Sequence, residues 1–291
     1  MEKNYVVMTD SSADLNPALE QELGVDIIPL SVNCGDRTFL DYPDEREIKT
    51  SEFYGMLRSG ANAKTAAANV ETFLTAMSRH LEQGKDVLYL GFSSGLSSTY
   101  SASEIAAQEL RERYPDRDIR VLDSRGASLG EGLIVLEAAD MAQRGADMET
   151  IVARANQLIG KMRQHFMVDD LKFLRKGGRL SGAAAFAGTL LQIKPILQGD
   201  PEGKIVVLSK ERGRKKAMDT LIQLYEEMVE DKSAPVGISH AAAPAEALHL
   251  ATALRQAGCT GEILSVCHEP VTGAHVGPGM LALYFYSQTW R

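Results

Sequence analysis

Segments typical of β-strands alternate with helical segments through the first half of this 291-residue chain, and this alternation restricts its fold more than any other feature. The predicted strands lie at 5–9, 26–32, 87–91 and 119–123, and the predicted helices at 17–24, 51–59, 70–83, 98–114, 129–141 and 148–162. Strands joined by helices usually pair in parallel, with the helices on the faces of the sheet. We therefore predict an α/β fold that begins with a parallel, Rossmann-like sheet domain.

The second half indicates another α/β unit. Strands are predicted at 165–174, 205–208, 236–240, 263–266 and 281–286, and helices at 182–193, 218–229 and 244–256. We expect two domains, 1–163 and 164–291, the second built on a mixed or antiparallel sheet. The polar segment 35–49 is expected to be a surface excursion.

Composition excludes several classes of function. The net charge of −8 does not favour binding to nucleic acid or to an anionic membrane surface. The three cysteines, Cys34, Cys259 and Cys267, lack metal-type spacing and are expected to be free thiols. We expect no signal peptide and no integral membrane segment, because no apolar run is long enough to cross a bilayer. These features predict a reduced, cytoplasmic protein.

A turn rich in glycine and serine follows the strand at 87–91. It reads GFSSG at 91–95, and a helix follows it. Free backbone N–H groups and the hydroxyls of Ser93 and Ser94 could hold a small anionic group. The same letters match G-x-S-x-G, the nucleophile elbow of serine hydrolases. Carboxylate binding and ester hydrolysis both remain open at this point.

Three turns are expected to meet at one edge of the parallel sheet, where the carboxyl ends of its strands lie. They are 10–12, 93–95 and 123–124. Ligands of such sheets bind at this edge.

Three further residues are candidates for a ligand site. Thr65 offers a hydroxyl just before the helix at 70–83, and Arg179 follows two glycines and could present its guanidinium to an anion or a protein partner. His275 lies in the glycine-rich segment 272–279, predicted as a turn. The remaining histidines are expected to be structural: His80, His165, His240, His249 and His268.

An esterase or lipase-like hydrolase would use Ser93 as the nucleophile and His275 as the base, with Asp123 or Asp170 as the acid. Asp170 also adjoins Asp169, and neighbouring residues of a strand point to opposite faces, so these two carboxylates are not expected to cooperate. The chain has neither a P-loop nor a dinucleotide fingerprint, and no cofactor or metal is implied.

Five motifs together resemble the DegV family of bacterial fatty-acid-binding proteins, which includes the FakB subunits of fatty acid kinase. They are TDSSADL at 9–15, SSGLSSTY at 93–100, DLKFLRKGGR at 170–179, KPIL at 194–197 and GAHVGPG at 273–279. Their order and spacing match the family along nearly the whole chain.

This resemblance implies a two-domain protein without chemistry of its own that holds a long-chain fatty acid in a tunnel. The carboxylate would be held by Thr65, Ser93, Ser94 and His275, with Arg179 near the head group or a partner. It also implies a separate ATP-dependent kinase subunit that makes an acyl-phosphate. Where the family usually has Thr-Ser-Gln-Pro, this chain has TAAA at 65–68, which changes local hydrogen bonding and loop stiffness.

Overall fold

A computed structural model describes residues 5–181 and 192–290, and its first sheet is parallel. This sheet contains β1 (Tyr5–Asp10), β2 (Asp26–Ile28), β6 (Asp86–Gly91) and β7 (Ile119–Asp123), in the order β2-β1-β6-β7. Five of the six residues of β6 are buried, as both faces of a parallel sheet require. The predicted α/β class and its parallel N-terminal sheet are confirmed.

The second large sheet is mixed. Its strands are β8 (Met162–Met167), β9 (Ile193–Gly199), β10 (Ile205–Arg212), β11 (Val236–His240), β12 (Ile263–Cys267) and β13 (Leu281–Tyr286). Their order is β10-β9-β8-β13-β11-β12, and β11 and β12 pair in parallel while the other neighbours are antiparallel. The expected domain boundary at 163–164 falls inside β8, and the division into two domains stays a prediction.

A third, antiparallel sheet corrects two predictions. It contains β3 (Ser31–Cys34), β4 (Arg37–Leu40) and β5 (Ala63–Ala66), in the order β4-β3-β5. The single strand predicted at 26–32 is two strands in different sheets, because Pro29 lacks the N–H that would continue the ladder. The segment 35–49 contains β4 and the buried Asp41, so it is more than a surface excursion.

Helices cover the sheets, and three of those described begin at side-chain caps that the sequence supplies. The described helices are α1 (Pro17–Leu23), α2 (Thr50–Arg58), α3 (Val70–Leu81), α4 (Thr99–Arg113), α5 (Leu129–Gln143), α6 (Met148–Lys161), α7 (Lys172–Lys176), α8 (Arg214–Met228), α9 (Pro244–Gln256) and α10 (Pro270–Val276). Asn16, Asn69 and Asp147 each accept a hydrogen bond from a backbone N–H of the helix that follows. Helix α5 contacts β1 and β6 of the parallel sheet and β8, β11 and β13 of the mixed sheet, so it joins the two sheets into one core.

Two short helices replace predicted strand and turn structure. The strand predicted at 165–174 ends at Met167, and Asp170 Oδ1 accepts the backbone N–H of Lys172 at 2.9 Å where α7 begins. The turn predicted at 272–279 is largely helix α10. Of the helix predicted at 182–193, residues 182–191 lie outside the described residues, and Ile193 begins β9.

Within the ranges 5–181 and 192–290, no helix combines the length and apolar character needed to cross a membrane.

Candidate functional site

The three predicted turns meet at the carboxyl edge of the parallel sheet. Asp10 Oδ2, at the end of β1, accepts hydrogen bonds from the Tyr89 hydroxyl at 2.6 Å and from the backbone N–H of Phe92 at 3.1 Å. Ser94 Oγ donates to Asp123 Oδ2 at 2.5 Å, which ties the turn after β6 to the end of β7. The expectation that these turns converge is confirmed.

The two candidate serines are already engaged within the protein. Ser93 is buried, and its Oγ donates to the carbonyl oxygen of Gly203 at 2.8 Å. A Cβ on Gly203, whose φ is +75°, would lie 2.2 Å from that Oγ, so this contact requires glycine. Ser94 is exposed and bonded to Asp123. Neither serine hydroxyl is directed at a ligand in this arrangement.

Thr65 and His275 come together although 210 residues separate them in sequence, with Thr65 Oγ1 2.8 Å from His275 Nε2. Thr65 lies in β5 and His275 in the last turn of α10, so both predicted turn positions are corrected to regular structure. The two elements pack against each other, which positions the pair.

His275 is neutral at physiological pH. Burial, reinforced by the positive charge of Arg179, lowers its pKa to about 4. Its Nδ1 is buried without a hydrogen-bond partner and faces Gly177, where a Cβ would lie only 2.4 Å away. We assign the ring proton to Nε2, because an unpaired buried N–H costs more than an unpaired lone pair. Nε2–H then donates to Thr65 and leaves the threonine hydroxyl free to donate.

Arg179 brings the positive charge to this pair. Its Nε donates to the carbonyl oxygen of Leu96 at 3.0 Å, and Nη1 donates to that of Gly177 at 2.5 Å. These bonds fix the guanidinium between the turn after β6 and the end of α7. The group is half-buried, which strengthens its attraction for an anion relative to a fully solvated charge.

A cavity lies beside this cluster, and we call it the central cavity. Residues of the mixed sheet, of the small antiparallel sheet and of α10 line it, together with residues that follow β2, β6 and β7 of the parallel sheet. Most of the lining residues are apolar: Leu30, Thr65, Ala66, Ala67, Phe92, Leu96, Ser97, Arg125, Ala127, Gln164, Phe166, Arg179, Gly199, Gly203, Ile205, His268, Val271, Thr272, His275, Val276, Met280, Ala282 and Tyr284. The space between atoms is about 870 Å³ with the open mouth included, and little of it lies far from the lining atoms. The cavity is therefore narrow throughout.

Of the predicted site residues, Thr65, His275 and Arg179 line the central cavity. Among the described residues, the serine turn reaches the cavity through Phe92, Leu96 and Ser97, and Ser93 and Ser94 lie outside its lining. Ser97 therefore offers a hydroxyl to the cavity that the sequence analysis did not single out.

His268 is a second cavity residue that the sequence analysis missed, having treated it as structural. Its Nδ1 forms a very short hydrogen bond with the buried Asp14 carboxylate, which lies 254 residues earlier. No local motif signals this pairing. Asp14 is seen to be buried only in the folded chain, so the sequence does not show that it needs a distant donor.

The arrangement for an esterase is not formed. Ser93 Oγ bonds to Gly203 and accepts the N–H of Gly95 at 3.2 Å, while the Nε2 of His275 bonds to Thr65. Asp170 accepts the backbone N–H of Lys172 and Asp123 accepts the hydroxyl of Ser94, so neither orients the His275 imidazole. Over the described ranges, no cluster of three or more His, Cys, Asp or Glu residues could hold a metal ion.

Comparison with known proteins agrees with this architecture. The family model described as "Uncharacterised protein, DegV family" matches residues 4–288. A DegV domain-containing protein of Clostridium perfringens is 36% identical over 288 residues, with 99% of each chain covered.

Solved structures give the same result. A DegV family protein of Thermus thermophilus, described as fatty-acid-binding, superposes with a TM-score of 0.89 at 32% identity, covering 98% of this chain and 99% of that one. DegV of Bacillus subtilis, described as a fatty acid binding protein, gives a TM-score of 0.86 at 29% identity, covering 99% of this chain and 100% of that one. The fold thus defines an α/β protein of the architecture that these structures share. The chain belongs to the DegV family.

Proposed function

We propose that this protein binds a long-chain fatty acid, with the acyl tail in the central cavity and the carboxylate at Thr65 and His275. The observation that carries the proposal is the position of this pair, beside Arg179, on the wall of a narrow and mainly apolar cavity. The solved relatives described as fatty-acid-binding share the fold around it.

The energetics favour such a ligand. Each buried methylene contributes about 0.8 kcal/mol, so a long chain is retained even by a site with few polar contacts. A carboxylate leaves water only where donors replace its hydration. The Thr65 hydroxyl supplies one donor, and the Arg179 guanidinium supplies positive charge.

Ser93 and Ser94 remain predicted carboxylate contacts. For this role they would exchange their bonds to Gly203 and Asp123 for bonds to the ligand. The protein itself would perform no chemistry. It would present the carboxylate to an ATP-dependent kinase subunit that forms an acyl-phosphate, with Arg179 near the site of that encounter.

The primary test is mass spectrometry of organic extracts from the purified protein. We expect about one fatty acid per chain, and an emptied protein should rebind an added fatty acid. A protein that is purified empty and also ignores added fatty acid contradicts the proposal.

The head-group assignment is tested by Thr65→Val and His275→Ala. Thr65→Val removes the hydroxyl that donates to the carboxylate and should weaken fatty-acid binding by about 1.5–3 kcal/mol, the range for a hydrogen bond to a charged group. His275→Ala removes the group that orients this hydroxyl and should weaken binding by about 0.5–1.5 kcal/mol, the range for a neutral hydrogen bond. Thr252→Val, on the exposed surface of α9, is the control and should bind as the wild type does. The affinity of Ser94→Ala for the fatty acid shows whether the serine turn contributes to carboxylate binding. Unchanged affinity in both the Thr65 and the His275 variants would refute the head-group site.

A further inference from the structure

We infer that the central cavity has a second hydrogen-bonding site, formed by His268 and Tyr284, for a hydroxyl group in the middle of a bound acyl chain. This inference rests on the proposed fatty-acid binding and adds a preference for hydroxylated fatty acids. His268 and Tyr284 both line the cavity, as does Thr272.

The His268 ring is fixed by a buried charge. The Asp14 carboxylate accepts three hydrogen bonds. They come from His268 Nδ1, from the Thr272 hydroxyl at 3.1 Å and from the backbone N–H of Glu269 at 3.2 Å. The Asp14 side chain is fully buried and that of His268 is 5% exposed. The carboxylate therefore holds the proton of the ring on Nδ1 and leaves Nε2 as the atom that must find another partner.

Nε2 has only a poor partner within the protein. Ser239 Oγ lies 3.5 Å away, at the limit of hydrogen bonding, while the same Oγ lies 2.9 Å from the Tyr284 hydroxyl. Either hydroxyl of the shorter pair can be its donor, and the longer separation leaves the imidazole only a weak bond to the serine. A buried ring nitrogen on a cavity wall without a good partner is a binding position for a ligand group.

The chemistry of these groups selects a hydroxyl. A neutral His268 offers a lone pair at Nε2 and needs a donor, whereas a protonated His268 offers N–H and needs an acceptor. A hydroxyl satisfies both states and can also bond to the Tyr284 hydroxyl. A methylene satisfies neither state, so an unsubstituted chain leaves this polar wall unpaired.

The spacing places the hydroxyl in mid-chain. His268 precedes α10 and His275 lies in its last turn. The five helical steps from Pro270 to His275 rise by roughly 7.5 Å, and the two residues before α10 add to that separation. Apolar residues line the cavity near these two polar positions, among them Val271, Val276 and Ala282. A carboxylate at His275 therefore brings the middle of the acyl chain, and not the carbon next to the carboxylate, to His268.

The test compares affinities of the emptied wild-type protein for octadecanoic acid and for hydroxyoctadecanoic acids with the hydroxyl near the carboxylate, in mid-chain or at the methyl end. We expect the mid-chain isomer to bind about 2- to 10-fold more tightly than octadecanoic acid, as one added hydrogen bond allows, and the other two isomers to bind less tightly than it. Equal or weaker binding of the mid-chain isomer overturns the inference while leaving fatty-acid binding intact. Failure of every acid to bind overturns both proposals.

Two variants test whether His268 and Tyr284 cause the preference for the mid-chain hydroxyl. His268→Leu and Tyr284→Phe should each reduce the preference for the mid-chain hydroxyl at least 2-fold while still binding octadecanoic acid. Tyr286→Phe, a buried tyrosine of the same strand outside the cavity lining, is the control and should keep the preference. A preference that persists unchanged in both cavity variants contradicts the assignment. The wild-type comparison does not depend on the folding of any variant.

Discussion

At the scale of single residues, the hydrogen bonds of Glu131 determine its protonation state. Thr9 Oγ1 lies 2.8 Å from the carbonyl oxygen of Leu90 and 2.8 Å from Glu131 Oε1. The threonine has one hydrogen, and the carbonyl can only accept it, so Glu131 must donate the proton of the second bond. Burial accordingly raises the pKa of Glu131 well above its usual range. A neutral Glu131 thus joins α5 to β1 by hydrogen bonds.

Glu131→Gln should therefore stabilise the protein at neutral pH, because the amide donates to Thr9 as the protonated acid does. Folded wild type keeps a proton that the unfolded chain releases above pH 4.5, so the stability from this group is complete below that pH and falls as the pH rises toward the raised pKa. The difference in unfolding free energy between Glu131→Gln and the wild type should grow by about 1.4 kcal/mol per pH unit between pH 4.5 and the raised pKa of Glu131. Urea unfolding between pH 5 and 8 measures it.

The control for this experiment is Glu112→Gln, an exposed glutamate in the last turn of α4. Its unfolding free energy should follow the wild type at every pH. A Glu131→Gln protein that is less stable than the wild type at pH 8 would show that the buried carboxyl is ionised.

At the scale of secondary structure, the sequence predicted elements whose signals are local and missed those that depend on distant partners. Strands β1, β6 and β7 and helices such as α3 carry their own apolar periodicity and caps, and they were predicted within about two residues of the observed bounds. Strand β5 and helix α10 are short and rich in alanine and glycine. They form because each packs against the other and against α2 or β3, which no local pattern contains.

The residues of the candidate site likewise include some that were predicted from the sequence and one that was missed. Thr65, His275 and Arg179 were singled out from their local setting and then from the resemblance to a family, and the structure places all three on the cavity wall. His268 was missed because its partner Asp14 approaches only in the folded chain.

The contact between α7 and α10 gives a test at this scale. Gly177 caps α7 with ordinary helical angles, so alanine suits its backbone, but a Cβ would lie 2.4 Å from His275 Nδ1. In Gly177→Ala the imidazole must move and lose its 2.8 Å contact with Thr65. We expect fatty-acid affinity to fall about 2- to 10-fold, the equivalent of one hydrogen bond. Titration of the emptied protein measures it.

The matched control is Gly55→Ala in α2, where a Cβ would meet nothing within 4 Å. This change should leave affinity unaltered and stabilise the protein by up to about 1 kcal/mol, since alanine favours helix interiors. Equal affinity of the Gly177 and Gly55 variants would show that the position of His275 does not matter for binding.

At the scale of the whole molecule, the central cavity is a gap in one continuous core. Its walls include Phe92 after the parallel sheet, Phe166 and Tyr284 of the mixed sheet, and Thr65 of the small sheet. A ligand that fills this space contacts the mixed sheet, the small sheet and the turn after β6 at once. Its binding energy is therefore added to the stability of the whole fold and not to that of one segment.

Removal of bound lipid should consequently lower the melting temperature of the entire protein in one transition. Restoring a long-chain fatty acid at 100 times its dissociation constant should stabilise the fold by about 2.7 kcal/mol, which corresponds to a rise of several degrees. A fatty alcohol of equal length fills the same apolar walls without the carboxylate and should give a smaller rise in the wild type. In His275→Ala the difference between acid and alcohol should shrink, because the variant has lost part of the head-group site. Calorimetry that finds no rise with either ligand would mean that the acyl chain does not occupy this cavity.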